Sequence, residues 1–256
     1  MGATAFGHHT IEGQGNSSLY PHFYVGFQWN LSDCASLVIG TFVPLKKRRL
    51  QKDGNDFGLY FLGDRLEFPP VDRANEDGLL AVGGDLSSER LLLAYKSGIF
   101  PWFNDDTLIL WWSPDTRMVL YTNKLKISKS MRRLERRGRI QITINQAFEQ
   151  VIEKCSSIER KGQEGTWITR KMKEAFIKLN EKGLAKSYEV WQNGKLVGGL
   201  YGMDLGNVFC GESMFSEVPN ASKFAFIKMV QDAEQKGYKL VDCQIHTDHL
   251  ESLGAE

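Results

Sequence analysis

The dipeptide Asn193-Gly194 separates two runs, Ser187 to Trp191 and Lys195 to Met203, that are rich in aromatic, β-branched and small apolar residues. A two-residue hairpin turn needs positive φ at its central positions, and Asn followed by Gly supplies this most readily. The spacing therefore predicts two antiparallel strands. A third is expected from Asn207 to Ser213. Asn220 is expected to cap a helix reaching about Gln235, with Phe226, Met229, Val230 and Ala233 on one face and Gly237 as its stop. Lys239 to Ile245 reads as a fourth strand. Its LVDCQI run is apolar apart from Asp242 and Gln244, which predicts a place inside the sheet with both faces covered. Strand, strand, strand, helix, strand makes an α+β (mixed α/β) domain.

Upstream, Ser87, Ser128, Asn145 and Thr169 each precede a helical pattern, stopping near Gly98, Gly138, Cys155 and Gly183. Met118 to Tyr121 and Ile140 to Ile144 are short strand candidates. Pro101 and Pro114 make the segment between Ile99 and Arg117 loop and short strand. Residues 1–57 have a Gly- and Ser-rich start and aromatics in no regular period, and no fold is assigned to them.

Asp242 and Gln244 are the chemically informative exceptions. Strand alternation places Leu240, Asp242 and Gln244 on one face and Val241, Cys243 and Ile245 on the other, with Asp242 and Gln244 about 6.5 to 7 Å apart at Cα. A buried carboxylate and amide need partners. Neighbouring backbone or a helix N-terminus would satisfy them structurally; a substrate would do so functionally. Glu212, ending the third strand beside Gly211, is a surface residue on the first reading and a third polar group on the second. Two carboxylates and an amide suit chemistry on an amine.

Other chemistries fit less well. Cys243, His246, Asp248 and His249 are metal-ligand types, but structural zinc sites draw paired ligands from separated segments, so no metal is assigned. Neither GxxxxGK[ST], GxGxxG nor GxSxG occurs, which argues against an ATP loop, a dinucleotide site or a serine elbow. Nucleophilic catalysis by Cys210 or Cys243 would need an activating His.

Charge balance first argues against a nucleic-acid partner, because 32 Lys and Arg face 31 Asp and Glu. The distribution reverses that. Between Asn123 and Ile140, Lys124, Lys126, Lys129, Arg132, Arg133, Arg136, Arg137 and Arg139 are opposed by Glu135 alone. Such a helix is a solvated face or a polyanion site. The longest apolar stretch, Cys34 to Leu45, is well short of the roughly 20 residues of a membrane span, and Lys46 to Arg49 follow it rather than precede it. With four widely spaced cysteines, the chain reads as a cytoplasmic protein with reduced thiols and no membrane contact.

The strings GLLAVGGDLS, AYKSGIFPWF, LWWSPDTR, EGTWITR, GESMFS, NASK, VDCQ and DHLESLGA, in this order, resemble the bacterial leucyl/phenylalanyl-tRNA–protein transferases from about Leu59 to Glu256. The resemblance implies a small N-terminal domain at 58–117 and a GNAT-like acyltransferase domain at 118–256, and it leaves 1–57 without a counterpart. Family members continue past SLGAE, so an incomplete C-terminal end with an uncovered strand edge is expected. The implied activity moves Leu or Phe, and Met as a secondary donor, from aminoacyl-tRNA to proteins with N-terminal Arg or Lys, creating an N-degron. No cofactor is implied, and a monomer is expected.

By the same resemblance, Asp242 and Gln244 match the catalytic pair and Glu212 the acceptor-amine site. Trp102 and Trp167 match aromatic positions around the terminal adenosine. Phe209, Leu200 and Met229 fall at the apolar side-chain pocket, and Lys129, Arg132, Arg133, Arg136 and Arg137 face the tRNA. Asp242 is expected to accept the proton, since an amide is too weak a base. Two alternatives stand beside this: a non-catalytic aminoacyl-tRNA-binding module, and another GNAT-type acyltransferase, against which the lack of a Gly-rich loop before Asn220 counts.

Overall fold

The computed structural model describes residues 59–104, 106–138, 140–158 and 168–256, with the backbone of two paired strands, β1 (Gln28–Trp29) and β2 (Leu37–Val38). Trp167, Arg139 and nearly all of the 1–57 extension lie outside the described residues.

The first part comprises β3 (Tyr60–Leu62), β4 (Leu79–Gly83), α1 (Ser88–Lys96), β5 (Phe100–Pro101) and β6 (Leu110–Trp112). It forms a four-stranded sheet in the order β3-β4-β6-β5. There follow β7 (Met118–Tyr121), α2 (Lys129–Arg136), β8 (Gln141–Ile144), α3 (Phe148–Ser157) and α4 (Arg170–Glu181). Then come β9 (Ala185–Gln192), β10 (Lys195–Asp204), β11 (Val208–Ser216), α5 (Ala221–Gln235), β12 (Leu240–Gln244) and α6 (Asp248–Ser252). These strands make a six-stranded sheet in the order β7-β12-β11-β10-β9-β8, in which only β11 and β12 run parallel. The mixed α/β architecture and the interior place of β12 follow the sequence expectation.

Local chemistry explains most boundaries. Asn193 and Gly194 turn the β9–β10 hairpin at φ values of 52° and 74°. Ser87, Ser128 and Thr169 cap their helices, each side-chain oxygen accepting from the backbone N–H three residues on. Asn145 and Asn220 do not cap. Both have positive φ, and no side-chain cap bond forms at α5. The N-terminus of α3 is served from a distance instead, because the buried Glu189 carboxylate accepts from the N–H groups of Gln146 and Ala147.

Two apolar cores lie on opposite faces of the large sheet. On one face Tyr201, Met203, Cys210 and Phe215 join side chains of α1, α3 and α4 and the small sheet. On the other, Leu120, Leu200, Phe209 and Val241 pack under Phe226, Met229 and Val230 of α5. No described helix is long and apolar enough to cross a membrane.

Close packing between strands has one exacting point. A Cβ on Gly202 would sit 2.1 Å from the carbonyl oxygen of Cys210 on β11. Gly202→Ala is therefore expected to destabilise the protein by about 3 kcal/mol, read as a lower urea midpoint at unchanged slope.

At the end of the chain, Val119 and Glu256 exchange two backbone hydrogen bonds of 2.9 Å, and Leu253 and Ala255 are buried. The outer edge of β7 is thus paired at Val119 by Glu256.

Candidate active site

The parallel pairing of β11 with β12 covers only Val208↔Leu240, Phe209↔Val241 and Cys210↔Asp242. Beyond Asp242 the partners part. The bulk of β11 stays with β10, where Tyr201↔Ser213 and Gly202↔Gly211 leave Glu212 as the extra residue of a bulge. β12 follows β7, and its Asp242↔Val119 and Gln244↔Met118 pairing leaves Cys243 as the extra residue of a second bulge. Two bulges at one level of adjacent strands open a gap in the sheet and re-aim the side chains beside it.

A cavity of about 60 Å³ occupies this gap. Leu200, Met214, Phe226, Met229, Val241 and Leu250 supply apolar lining, while Glu212, Asp242 and Gln244 supply the polar end. The gap thus brings together all three residues expected to carry chemistry. Simple alternation does not hold, however: the bulge puts Cys243 along the cavity too.

The polar groups form a connected chain. Arg117 grips Asp242 with both arms of its fork, Nε to Oδ1 at 2.8 Å and Nη2 to Oδ2 at 2.7 Å. Asp242 Oδ1 also accepts from the backbone N–H of Gln244 at 2.9 Å. Gln244 is left-handed, with φ of 64°. That conformation costs an L-residue about 1 to 2 kcal/mol, and the Asp242 carboxylate offsets it locally. Gln244 Nε2 in turn donates to Glu212 Oε1 at 2.7 Å. Among the described residues, Asp242 is thus partnered by the Arg117 guanidinium, the Gln244 N–H and the Cys210 thiol rather than by a helix N-terminus.

Glu212 is buried in the middle of β11, at 8% exposure, rather than lying on the surface at its end. Burial pushes its carboxyl up to about 8; hydrogen bonding by Tyr95 and Gln244 opposes the rise, and the Asp242 charge adds to it. Burial also holds the thiols of Cys210 and Cys243 well above the usual range, which argues against either as a nucleophile. The ligand-type atoms of His246, Asp248 and Glu251 come within 4.8 Å of one another, but all three residues are solvent-exposed, apart from the gap.

The remaining candidates separate. Leu200 and Met229 line the cavity; Phe209 does not, being 1% exposed and packed edge-on against Tyr188. Trp102 lies on the core of the small sheet with its ring 5.4 Å from that of Trp112. Lys129, Arg132, Arg133 and Arg136 on α2 and Arg137 at its C-cap are all exposed, and no described carboxylate pairs with them. Residue-level reading missed Phe226 and Arg117. Phe226 shares a helical face with Met229, whereas the only signal for Arg117 is its place in LWWSPDTR.

A model of the leucyl/phenylalanyl-tRNA protein transferase family matches residues 119–256, and a model of that family's N-terminal domain matches residues 84–115. The leucyl/phenylalanyl-tRNA–protein transferase of Christiangramia forsetii is 58% identical over 200 residues, covering 77% of this chain and 94% of that one. The Flavobacterium johnsoniae enzyme is 58% identical over 196 residues (77% and 92%), and that of an Anaeromyxobacter species 50% over 197 residues (77% and 84%). Among solved structures, L-PGS from Bacillus licheniformis overlaps 63% of this chain and 52% of its own at a TM-score of 0.38 and 14% identity. Identity of 50 to 58% across 84 to 94% of these relatives' length means that the chain belongs to the leucyl/phenylalanyl-tRNA protein transferase family of aminoacyltransferases.

Proposed function

We propose that the protein transfers Leu or Phe, and Met more weakly, from aminoacyl-tRNA to the N-terminal Arg or Lys of acceptor proteins, marking them for degradation. The observation that carries this is the gap between β11 and β12, where an apolar-lined cavity meets Glu212 and Gln244. Its apolar walls, with Glu212, Asp242 and Gln244 at one end, match the chemistry of an aliphatic or aromatic aminoacyl side chain with the ester at the polar end. Membership of the aminoacyltransferase family supports the same reading.

An aminoacyl ester is already activated. Aminolysis forms the C–N bond and breaks the C–O bond, a downhill exchange that holding the two substrates together accelerates. The attacking nitrogen loses a proton and the leaving ribose oxygen gains one. In this reading proton acceptance, which the sequence expectation gave to Asp242, falls to Glu212 instead. Asp242 would have to give up its bidentate arginine to accept a proton, whereas Glu212 has no ion-pair partner among the described residues. Burial raises its carboxyl to about 8, which makes its ionised form a stronger base than an ordinary carboxylate. Glu212 takes the proton from nitrogen and returns it to the ribose oxygen. Gln244, which gives one Nε2–H to Glu212, orients the amine through its carbonyl. Asp242 holds Gln244. Trp102 and Trp167 are assigned to the adenosine, and the α2 cations to the acceptor arm.

A panel of charged tRNAs tests the reading. Leu-tRNA and Phe-tRNA are expected to donate to an Arg-initiated peptide, and Asp-tRNA is not, because a carboxylate would be stranded in the apolar cavity. Met229→Trp fills the cavity and should lower Leu and Phe transfer by at least about 10-fold while tRNA retention on a filter is unchanged. Equal transfer from Asp-tRNA would sink the proposal.

A further inference from the structure

Asp242 does not stand alone in the gap; it is the middle of a chain that begins outside the large sheet. Arg117 precedes β7 and is held from the small sheet's side. Its guanidinium lies 4.8 Å from the centroid of the Phe100 ring on β5, and its Nη1 donates to the carbonyl of Gly98 at 3.3 Å. From there the contacts run through both Asp242 oxygens to the Gln244 N–H, and from the Gln244 side chain to Glu212. A planar fork on a carboxylate fixes its rotation about the Cβ–Cγ bond, which a point charge does not. The Asp242 rotation, in turn, determines whether Oδ1 faces the Gln244 N–H.

We propose that Arg117 is a positioning residue for transfer, acting through Asp242 to hold the left-handed Gln244 backbone and so aim the Gln244 amide at Glu212. This deepens the reading above and rests on it for the identity of the reaction, but the mechanical link stands on its own contacts. It also gives the small sheet a part in the reaction: Phe100 and Gly98 seat the arginine that seats the site. A purely structural ion pair would stabilise the β7–β12 edge without specifying Gln244. The two roles therefore separate experimentally.

The test uses the full chain, with amide hydrogen exchange at Gln244 and single-turnover transfer from Leu-tRNA to an Arg-initiated peptide, for wild type, Arg117→Lys and Arg117→Gln. In Arg117→Gln the Gln244 amide is expected to exchange at least about 10-fold faster, with β10 amides unchanged. Transfer at saturating tRNA should fall about 100-fold, with the peptide KM changed less than about 3-fold. Arg117→Lys keeps the charge but not the fork, and should recover only part of the rate. If Asp242 left unpaired prevents folding, the double variant Arg117→Gln, Asp242→Asn keeps the site neutral, and the same fast exchange and slow transfer are expected. Unchanged Gln244 protection, or a parallel loss of protection through β10, overturns the proposal. A wild type that transfers nothing while Gln244 protection still depends on Arg117 overturns the functional reading and leaves the positioning role standing.

Discussion

Glu212→Gln is expected to lower the single-turnover rate of transfer about 10³-fold with saturating tRNA, within the range that a positioned general base supplies. The substitution keeps the size of the side chain, and its new amide oxygen can still accept from Gln244 Nε2, which lies 2.7 Å from the present carboxylate. What disappears is the capacity to take a proton. A fold defect is distinguishable by linkage. The folded-state pKa of Glu212, about 8, lies above its ordinary 4.5, so the wild type retains a proton on folding that the unfolded chain has released. That contribution is complete below pH 4.5 and is lost as pH rises through 8, amounting to about 5 kcal/mol. The variant has no such loss. Its thermal midpoint should therefore hold up better than wild type between pH 6 and 9 while its transfer rate is far lower. A variant that transfers at the wild-type rate would return the proton to Asp242 or to solvent.

The second large effect belongs to α2. Replacing Arg132, Arg133, Arg136 and Arg137 together with Gln is expected to weaken tRNA binding roughly 10³-fold near 0.1 M salt, and to flatten the slope of log K against log salt by about 3 to 4. Transfer at saturating tRNA should change little, because the helix lies outside the gap between β11 and β12. Stability should hold or rise, since four exposed like charges on two helical turns repel one another. Filter retention across a salt series reads both numbers. An unchanged slope would make the helix a solvated face.

How much of this was legible beforehand depends on how far apart the determinants lie. The β9–β10 hairpin, the Ser87, Ser128 and Thr169 caps and the α5 face are all written within four residues of where they act, and each is found as expected. Asn145 failed as a cap because Glu189, on another strand, supplies the acceptor. Asp242, Gln244 and Glu212 stood out as polar residues in apolar strands, and the sheet brings them together. Their roles did not stand out. The bulges at Glu212 and Cys243 depend on register against two different neighbouring strands, and the partner of Asp242 lies 125 positions away in the chain. A carboxylate read without its arginine looks like the stronger base; read with it, it looks like a hinge pin for Gln244. The extent of burial at Glu212 was equally invisible, because β11 was expected to end at Ser213, whereas it runs on to Ser216.

The most direct test of transfer at the β11–β12 gap is the appearance of labelled peptide. Wild-type protein is mixed with labelled Leu-tRNA and an Arg-initiated peptide, without ATP or acetyl-CoA, and the label is followed from tRNA to peptide. The predicted result is one label per peptide at its new N-terminus, formed about 10³-fold more slowly by Glu212→Gln. Label that stays on tRNA bound to the wild-type protein would contradict it.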